Sequence, residues 1–313
     1  MPGWREESLW KNEKMKKRKG ERMKIMKIKM MNSKRVTSLS LILFLLSFSP
    51  AVAQKQLTIL HTNDTHSCIL PLKANLADTM LANRGGFLRR IAMLKEQRKE
   101  DPQLLLFDSG DFSQGSSYYT MFKGDVEVGL MNQMGYDAGT IGNHEFDFGL
   151  ENMTRLFKMA KFPIVCSNYD FADTELADIV KPYVVLKRKG VKIGVFALCP
   201  PLQGLISTKN YGPLRFLDPI EATKRMVRVL RQEQKCDLVI CLSHMGWEES
   251  KEFPDPQIFT ATEGVDLVLG GHSHTYMKQL EHLTDQAGHD VSVDQNGKHG
   301  VFIGKLVLTM EKK

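Results

Sequence analysis

The sequence predicts an α/β domain with a mixed sheet. Short apolar runs of strand type alternate with amphipathic helical patterns, and one pair of runs flanks a tight basic turn as a hairpin would. The chain has 313 residues, of which 42% are hydrophobic and 25% are charged. These fractions are ordinary for a globular protein and exclude a wholly disordered, collagen-like or coiled-coil chain.

The predicted strands are short apolar runs bounded by polar or turn residues. Six of them are predicted to be buried: Leu57–Leu60, Leu104–Phe107, Pro163–Cys166, Val191–Leu198, Leu238–Leu242 and Val265–Leu269. Val184–Leu186 pairs with Val191–Phe196 as a hairpin across the turn at 187–190. A final strand, Val301–Thr309, follows the turn signal Asn296-Gly297.

Four helices are predicted from apolar residues at helical spacing: Phe87–Arg98, Val126–Met134, Leu150–Ala160 and Pro219–Gln234. The start of the last helix is the best defined, because Asp218 is a favourable N-cap and Pro219 suits the first helical turn.

Residues 1–53 are predicted to be a basic leader and signal peptide, followed by one catalytic domain at 54–313. The apolar stretch Leu41–Phe48 is shorter than the ~20 residues of a bilayer span, and Ala51-Val52-Ala53 resembles a cleavage site. We therefore expect an exported chain, periplasmic or secreted, that meets the membrane only through the signal peptide. An uncleaved anchor is the alternative.

The basic charge belongs to this leader. Residues 1–53 hold 13 of the 43 Lys and Arg and 4 of the 36 Asp and Glu, which leaves 30 basic and 32 acidic residues in the rest. Such a balance does not support a nucleic-acid partner. The cysteines do not form a C-x-x-C motif, and Cys166, Cys199 and Cys241, in or beside apolar runs, are predicted to be small buried residues.

Polar motifs follow the predicted strands at five places: Asp64-Thr65-His66, Asp108-Ser109-Gly110-Asp111, Gly142-Asn143-His144-Glu145, Ser243-His244-Met245-Gly246 and Gly270-Gly271-His272-Ser273-His274. Ligands of open α/β sheets bind at strand ends of this kind. Mixed Asp, Asn and His donors suit divalent ions such as Zn, Mn, Fe or Co and argue against a thiolate site. The motifs together predict a metal centre.

The sequence resembles the calcineurin-like metallophosphoesterases, and within them the 5'-nucleotidase branch. The resemblance is carried by LTILHTNDTHS (57–67), GDFSQG (110–115), GNHEFDFG (142–149), SHMG (243–246) and GGHSHT (270–275). It runs from about Leu57 to Thr309. It implies a four-layer α/β/β/α sandwich with two divalent metal ions at the strand ends.

The resemblance also implies a role for each polar residue. One ion would be held by Asp64, His66, Asp111 and His274, and the other by Asp111, Asn143, His244 and His272, with Asp111 shared. His144 matches the catalytic histidine and Asp147 the carboxylate that orients it. Glu145 is not a ligand in the family.

The resemblance implies a metal-dependent phosphoric ester hydrolase acting on a small phosphate ester, with a 5'-nucleotide as the expected substrate. A phosphodiesterase acting on cyclic or dinucleotides and a non-catalytic metal-binding scaffold are the alternatives. We expect the family's C-terminal nucleoside-recognition domain to be absent, and a separately encoded partner to supply it. On that expectation the chain alone discriminates poorly among nucleobases.

Overall fold

The computed structural model describes residues 10–17, 24–25, 55–247 and 252–310. The predicted signal sequence from residue 36 and its cleavage site lie outside the described residues, so export stays a prediction. None of the helices in the described part of the chain has the length and apolar character needed to cross a bilayer.

The strands and helices alternate along the chain. The strands are β1 (Trp10–Lys17), β2 (Lys24–Ile25), β3 (Lys55–Thr62), β4 (Leu105–Asp108), β5 (Ala138–Gly139), β6 (Tyr169–Asp170), β7 (Tyr183–Arg188), β8 (Val191–Leu198), β9 (Arg215–Phe216), β10 (Leu238–Ser243), β11 (Leu267–Leu269), β12 (Glu281–Thr284), β13 (Asp290–Asp294) and β14 (Ile303–Met310). The helices are α1 (Phe87–Glu100), α2 (Ser117–Phe122), α3 (Asp125–Met134), α4 (Gly149–Met159), α5 (Thr208–Tyr211), α6 (Pro219–Arg228) and α7 (Asp255–Thr260).

Two mixed sheets form the centre of the molecule. The first has the order β2-β1-β14-β3-β4-β5, in which β3, β4 and β5 are parallel and β14 is antiparallel to β3. The second has the order β12-β13-β11-β10-β8-β7, in which the four central strands are parallel and both edge strands are antiparallel. The predicted mixed α/β class is confirmed.

The sheets pack face to face, with helices on both outer faces. Ile59 and Leu105 of the first sheet share one apolar cluster with Ile240 of the second. Because neighbouring side chains of a strand point to opposite faces, Leu60 instead packs with α1, α3 and α4. On the far side, Val239 packs with α6 and α7. This is the predicted four-layer α/β/β/α arrangement.

The predicted strand Pro163–Cys166 is wrong. Its residues make only single bridges, from Ile164 to Gly139 and from Val165 to Lys181. The segment then crosses to the second sheet, where the Ser167 N–H donates to the Ala197 carbonyl. Pro163 and Val165 hydrogen-bond to Gly139, whereas Ile164 and Cys166 hydrogen-bond to Lys181, so no continuous ladder forms with either neighbour.

The other predicted elements are present, most of them with shifted ends, and several short elements, among them α2, α5 and α7, were not predicted. The predicted helix Pro219–Gln234 is α-helical only as far as Arg228, which ends α6. It continues as a π-helical turn, Val229–Glu233. The Asp218 cap is confirmed, since its carboxylate accepts the N–H groups of Ile220 and Glu221. The hairpin of β12 and β13 was not predicted. All five cysteines are free and buried, as expected for the three that were assigned to the core.

Candidate metal centre

The predicted site residues lie in the loops that follow β3, β4, β5, β10 and β11. Their donor atoms form three overlapping groups, in each of which the atoms lie within 4.8 Å of one another: Asp64, His66 and His274; His66, Asp111 and His144; Asp111, His244 and His272. Because His66 and Asp111 each belong to two groups, the site is continuous. Both sheets contribute to it.

The first part of the site contains Asp64, His66 and His274. The Nε2 atoms of the two histidines are 2.9 Å apart, and the Nε2 of His274 is 3.4 Å from Asp64 Oδ1. The His66 ring is also 3.8 Å from Asp64 Oδ1 and 4.0 Å from Asp111 Oδ2. Nitrogen and carboxylate donors therefore converge on one small volume, as a divalent ion requires.

The second part is built around His244. Its Nε2 lies 3.1 Å from Asp111 Oδ2 and 3.9 Å from Asp64 Oδ1, and its ring centroid is 5.1 Å from that of His272. The backbone N–H of His272 donates to both carboxylate oxygens of Asp64, at 3.1 and 3.0 Å. Asp64 and Asp111 thus both face the space between the two histidine pairs.

Two observations show that these residues fit a metal ion. His244 Nδ1 donates to the Ser109 carbonyl at 2.6 Å and His66 Nδ1 to the Ser113 carbonyl at 3.4 Å, so each ring presents Nε2 to the site. Metal-bound histidines are oriented in this way. In addition, Asn143 Oδ1 is buried and has no hydrogen-bond partner within the described chain. A buried polar atom left without a partner is costly, and a bound ion would satisfy it.

The backbone at the site is unusual. Five proposed ligands have positive φ angles, between 41° and 72°: Asp64, His66, Asp111, His272 and His274. Asp and His are among the side chains that tolerate this left-handed region best. Such conformations cluster at functional sites, where the surrounding fold enforces them.

His144 and Asp147 form a pair at the rim. His144 Nδ1 lies 3.2 Å from Asp147 Oδ2, and the two side chains are 29% and 27% exposed. Burial opposes protonation of His144, but the hydrogen bond to Asp147 and the charge of Asp111 raise its pKa above the ordinary value. The folded site therefore binds the proton of His144 more strongly than a free histidine does, as a proton donor requires. The backbone N–H of His144 also donates to Asp111 Oδ1 at 2.9 Å, which links the His144–Asp147 pair to the candidate ligands.

The charges within the site are strongly coupled. Burial favours the neutral form of His244, yet Asp111 and Asp64 raise its pKa to about 10. Burial would also raise the pKa of Asp111, but the charge of His244 and its hydrogen bond hold that pKa below the ordinary range. In the chain alone, protonated His244 therefore supplies the positive charge opposite Asp111. Burial lowers the pKa of His66, which keeps that imidazole neutral and able to bind a metal ion.

The structure adds supporting residues that the sequence did not indicate. The buried carboxylate of Glu145 accepts the N–H groups of Gly142, Asp111 and Ser113 at 2.6, 3.0 and 3.1 Å, which ties two ligand loops together. The Asn63 amide donates to Asp64 Oδ2 at 2.6 Å. The His299 ring centroid is 6.0 Å from that of His66.

Comparisons with known proteins agree with this geometry. The family model described as calcineurin-like phosphoesterase matches residues 57–276. The chain is 31% identical over 283 residues to human 5'-nucleotidase, covering 84% of this chain and 48% of the human protein.

Two solved structures resemble the fold. The 5'-nucleotidase precursor from Thermus thermophilus matches with a TM-score of 0.72 and 30% identity, over 81% of this chain and 51% of that chain. The NAD nucleotidase of Haemophilus influenzae matches with a TM-score of 0.70 and 26% identity, over 81% and 47%. The chain therefore spans about half the length of these proteins.

Proposed function

We propose that this chain, which belongs to the calcineurin-like phosphoesterase family, hydrolyses nucleotide phosphomonoesters at a pair of divalent metal ions. The observation that carries the proposal is the convergence of two carboxylates and five imidazoles into overlapping groups, together with the buried Asn143 Oδ1, which has no hydrogen-bond partner among the described residues. Similarity to 5'-nucleotidases supports the substrate class.

In this proposal each residue has the role that the family resemblance implies. Asp64, His66 and His274 hold one ion, Asn143, His244 and His272 hold the other, and Asp111 is shared. When bound, two such ions supply Lewis-acid activation of water and stabilise the charge that develops on the phosphoryl group. Zn, Mn, Fe and Co are the candidates, because all accept nitrogen and oxygen donors.

His144 acts as the general acid. Its protonated Nε2 faces away from Asp147, which holds Nδ1 and thereby fixes the ring orientation. The proton passes to the departing alkoxide of the substrate. The buried Glu145 positions the Asp111 and Asn143 loops through its three backbone contacts and takes no part in proton transfer.

A second candidate function is cleavage of a dinucleotide. The structural match to the H. influenzae NAD nucleotidase favours it, because NAD is two nucleotides joined through a pyrophosphate. Both reactions use the same displacement at phosphorus, so the two differ in what the site accepts beside the reacting phosphate.

The test is a substrate panel on the full chain. The protein is stripped with a chelator and then loaded separately with Zn, Mn, Fe(II) or Co, and its metal content is measured. We expect two equivalents of metal and release of phosphate from AMP, with cyclic AMP and NAD cleaved at least about tenfold more slowly in kcat/KM. Faster cleavage of NAD would favour the second function. Two bound metals with no activity on any ester would favour a non-catalytic scaffold.

We also propose that the chain is exported. The support is the pattern of residues 1–53, in which a basic segment precedes a short apolar stretch and a small-residue cleavage site. The test, amino-terminal sequencing, is described with the predictions for the whole molecule.

A further inference from the structure

A buried glutamine, Gln295, lies beside the loop that carries two of the proposed metal ligands. The loop, residues 270–275, follows β11 and contains His272 and His274. Gln295 comes directly after β13, which is the neighbour of β11 in the second sheet, and it is fully buried. The glutamine and the loop are close together because their strands are paired.

The Gln295 amide holds every second residue of this loop. Its Nε2 donates to the Gly271 carbonyl at 2.9 Å, and its Oε1 accepts the Thr275 N–H at 2.5 Å and the Ser273 hydroxyl at 3.0 Å. Only one orientation of the amide fits these partners, because a carbonyl can only accept a hydrogen bond and a backbone N–H can only donate one.

The residues between these contacts are the two histidines. His274 belongs to the donor group of Asp64, whereas His272 belongs to the donor group of His244. In the proposed function, His274 binds one ion and His272 binds the other. A single amide therefore holds the backbone on both sides of one ligand for each ion.

The loop depends on such contacts, because both histidines have unfavourable backbone conformations. The φ angle is 72° at His272 and 55° at His274, in the left-handed region that is costly for a residue with a side chain. Conformations of this kind persist only where the surrounding structure enforces them. The three hydrogen bonds of Gln295 are contacts that can do so.

The backbone in turn fixes Gln295. The Met277 N–H donates to the Gln295 carbonyl at 3.0 Å, and the Gly297 N–H donates to the Thr275 carbonyl at 2.9 Å. The segment after β13 is thus hydrogen-bonded to the end of the ligand loop. Since both segments continue from paired strands, the amide acts from a well-supported part of the fold.

We propose that Gln295 is a positioning residue for both metal ions. By holding residues 271, 273 and 275, it sets the places of His272 and His274 relative to Asp64 and Asp111. This inference rests on the pair of ions in the proposed function. It adds that metal affinity at both positions depends on one side chain that is not itself a ligand.

The test measures metal affinity and needs no turnover. The full chain is stripped with a chelator and titrated with Co(II), whose visible absorption reports its coordination. Gln295→Met keeps the length of the side chain and removes its hydrogen bonds. We expect this variant to bind both equivalents about 10–100-fold more weakly, the range for loss of a contact that supports a ligand, and to change the Co(II) spectrum.

Asn132→Leu is the matched control. The Asn132 amide also bridges alternate residues of a loop, since it donates to the Met159 carbonyl at 3.0 Å and accepts the Lys161 N–H at 2.6 Å. That loop contains none of the proposed ligands. The Tm of the metal-free protein should fall in both variants, but Co(II) affinity should fall only in Gln295→Met. Wild-type Co(II) affinity in Gln295→Met, or a loss confined to one equivalent, overturns the inference.

A second variant decides the question if Gln295→Met does not fold. Gln295→Glu keeps the acceptor for Ser273 and Thr275 and loses the bond to Gly271, so Co(II) affinity should fall by a smaller factor at both positions. Unchanged affinity in Gln295→Glu would contradict the inference. If wild type binds fewer than two equivalents, the pair of ions and this inference both fail. Two bound equivalents without hydrolysis of any ester refute only the proposed function.

Discussion

The Asp111 carboxylate lies between His66, His244 and the proposed acid, His144. One carboxylate oxygen accepts the His144 N–H at 2.9 Å, and the other faces His244 at 3.1 Å and His66 at 4.0 Å. The single side chain therefore connects both proposed metal positions with the proposed acid. A change in its charge affects all three together.

Asp111→Asn should bind less metal than a variant that lacks a ligand of only one ion. The amide keeps the shape of the side chain but removes the negative charge shared between the ions. Metal content of the purified variant, beside Asn143→Ala, provides the measurement. Asp173→Asn, at an exposed carboxylate, is the control. If Asp111→Asn retained two equivalents and normal turnover, Asp111 would not be the shared ligand.

His144→Asn should separate chemistry from metal binding. The substitution removes the proposed proton donor and leaves all seven proposed ligands, so metal content should be unchanged. Turnover should fall by roughly 10²–10⁴, the range for loss of general acid-base help. Phosphate release and metal content are measured on the same sample. Full activity of the variant would assign His144 a structural role.

The candidate metal ligands could be predicted from the sequence because they are polar side chains at the ends of apolar strands. Histidines and carboxylates that directly follow apolar strands stand out in a sequence, and Asp64 and His272 were found in this way. Glu145 was expected not to be a ligand, but its contacts were not predicted, because those to the Asp111 and Ser113 N–H groups join loops that are far apart in the sequence. His299 was missed for the same reason, since it reaches His66 only in the folded chain.

At the scale of elements, the loop after β5 depends on a glycine for close approach. A Cβ atom at Gly142 would lie 2.1 Å from Asp111 Oδ1 and 2.7 Å from the Asp111 backbone nitrogen. Two ligand loops can therefore touch only if this position has no side chain.

Gly142→Ala should lose metal and activity, because the added methyl displaces the Asp111 carboxylate. Gly129→Ala is the control: it lies within α3 with no atom within 4 Å of the added Cβ, and should be neutral or stabilising by up to ~1 kcal/mol. Metal content and thermal unfolding are measured for both. Normal metal content in Gly142→Ala would mean that the loops can separate without harm.

The start of α7 carries a buried acid, Asp255. Ser243 at the end of β10 donates a hydrogen bond to its Oδ1, while Oδ2 is buried and has no partner in the described chain. Burial raises the pKa of Asp255 to about 7, with Ser243 and His244 opposing the shift. The folded chain therefore holds a proton that the unfolded chain releases near pH 4.

The contribution of the Asp255 proton to the free energy of unfolding is fully present below about pH 4. It is lost as the pH rises through about 7. Asp255→Asn mimics the protonated form at every pH. Relative to wild type, its free energy of unfolding should increase between pH 5 and pH 8, by an amount on the order of a few kcal/mol. Urea unfolding of the metal-free proteins at both pH values measures the difference. An equal difference at the two values would contradict the raised pKa.

Elements with strong local patterns were predicted, whereas those made by tertiary contacts were not. β8 and β10 are continuous apolar runs buried between layers, and their bounds agree with prediction within one residue. The run at Pro163–Cys166 has the same composition but connects the two sheets, so it forms no ladder. β12 is a mostly exposed edge strand with only four residues, which gives a weak pattern.

At the scale of the whole molecule, export is predicted to remove the leader. The purified product from a secreting host should begin at Gln54, as read by amino-terminal sequencing. Cleavage there would also remove β1 and β2, so that β14 would become the edge of the first sheet. A mature chain that retains Leu41–Phe48 would support a membrane anchor instead.

The proposed metal ligands come from distant parts of the chain. This separation determines whether folding or metal binding comes first. Asp64 accepts the His272 N–H across 208 residues, and the two belong to loops of different sheets. Contacts so far apart form late in folding, after the closure of a very long loop. During synthesis, the last histidines emerge only after most of the scaffold has been made. Divalent ions bound at this site would therefore meet a nearly finished fold, and would stabilise the native state without directing the route to it.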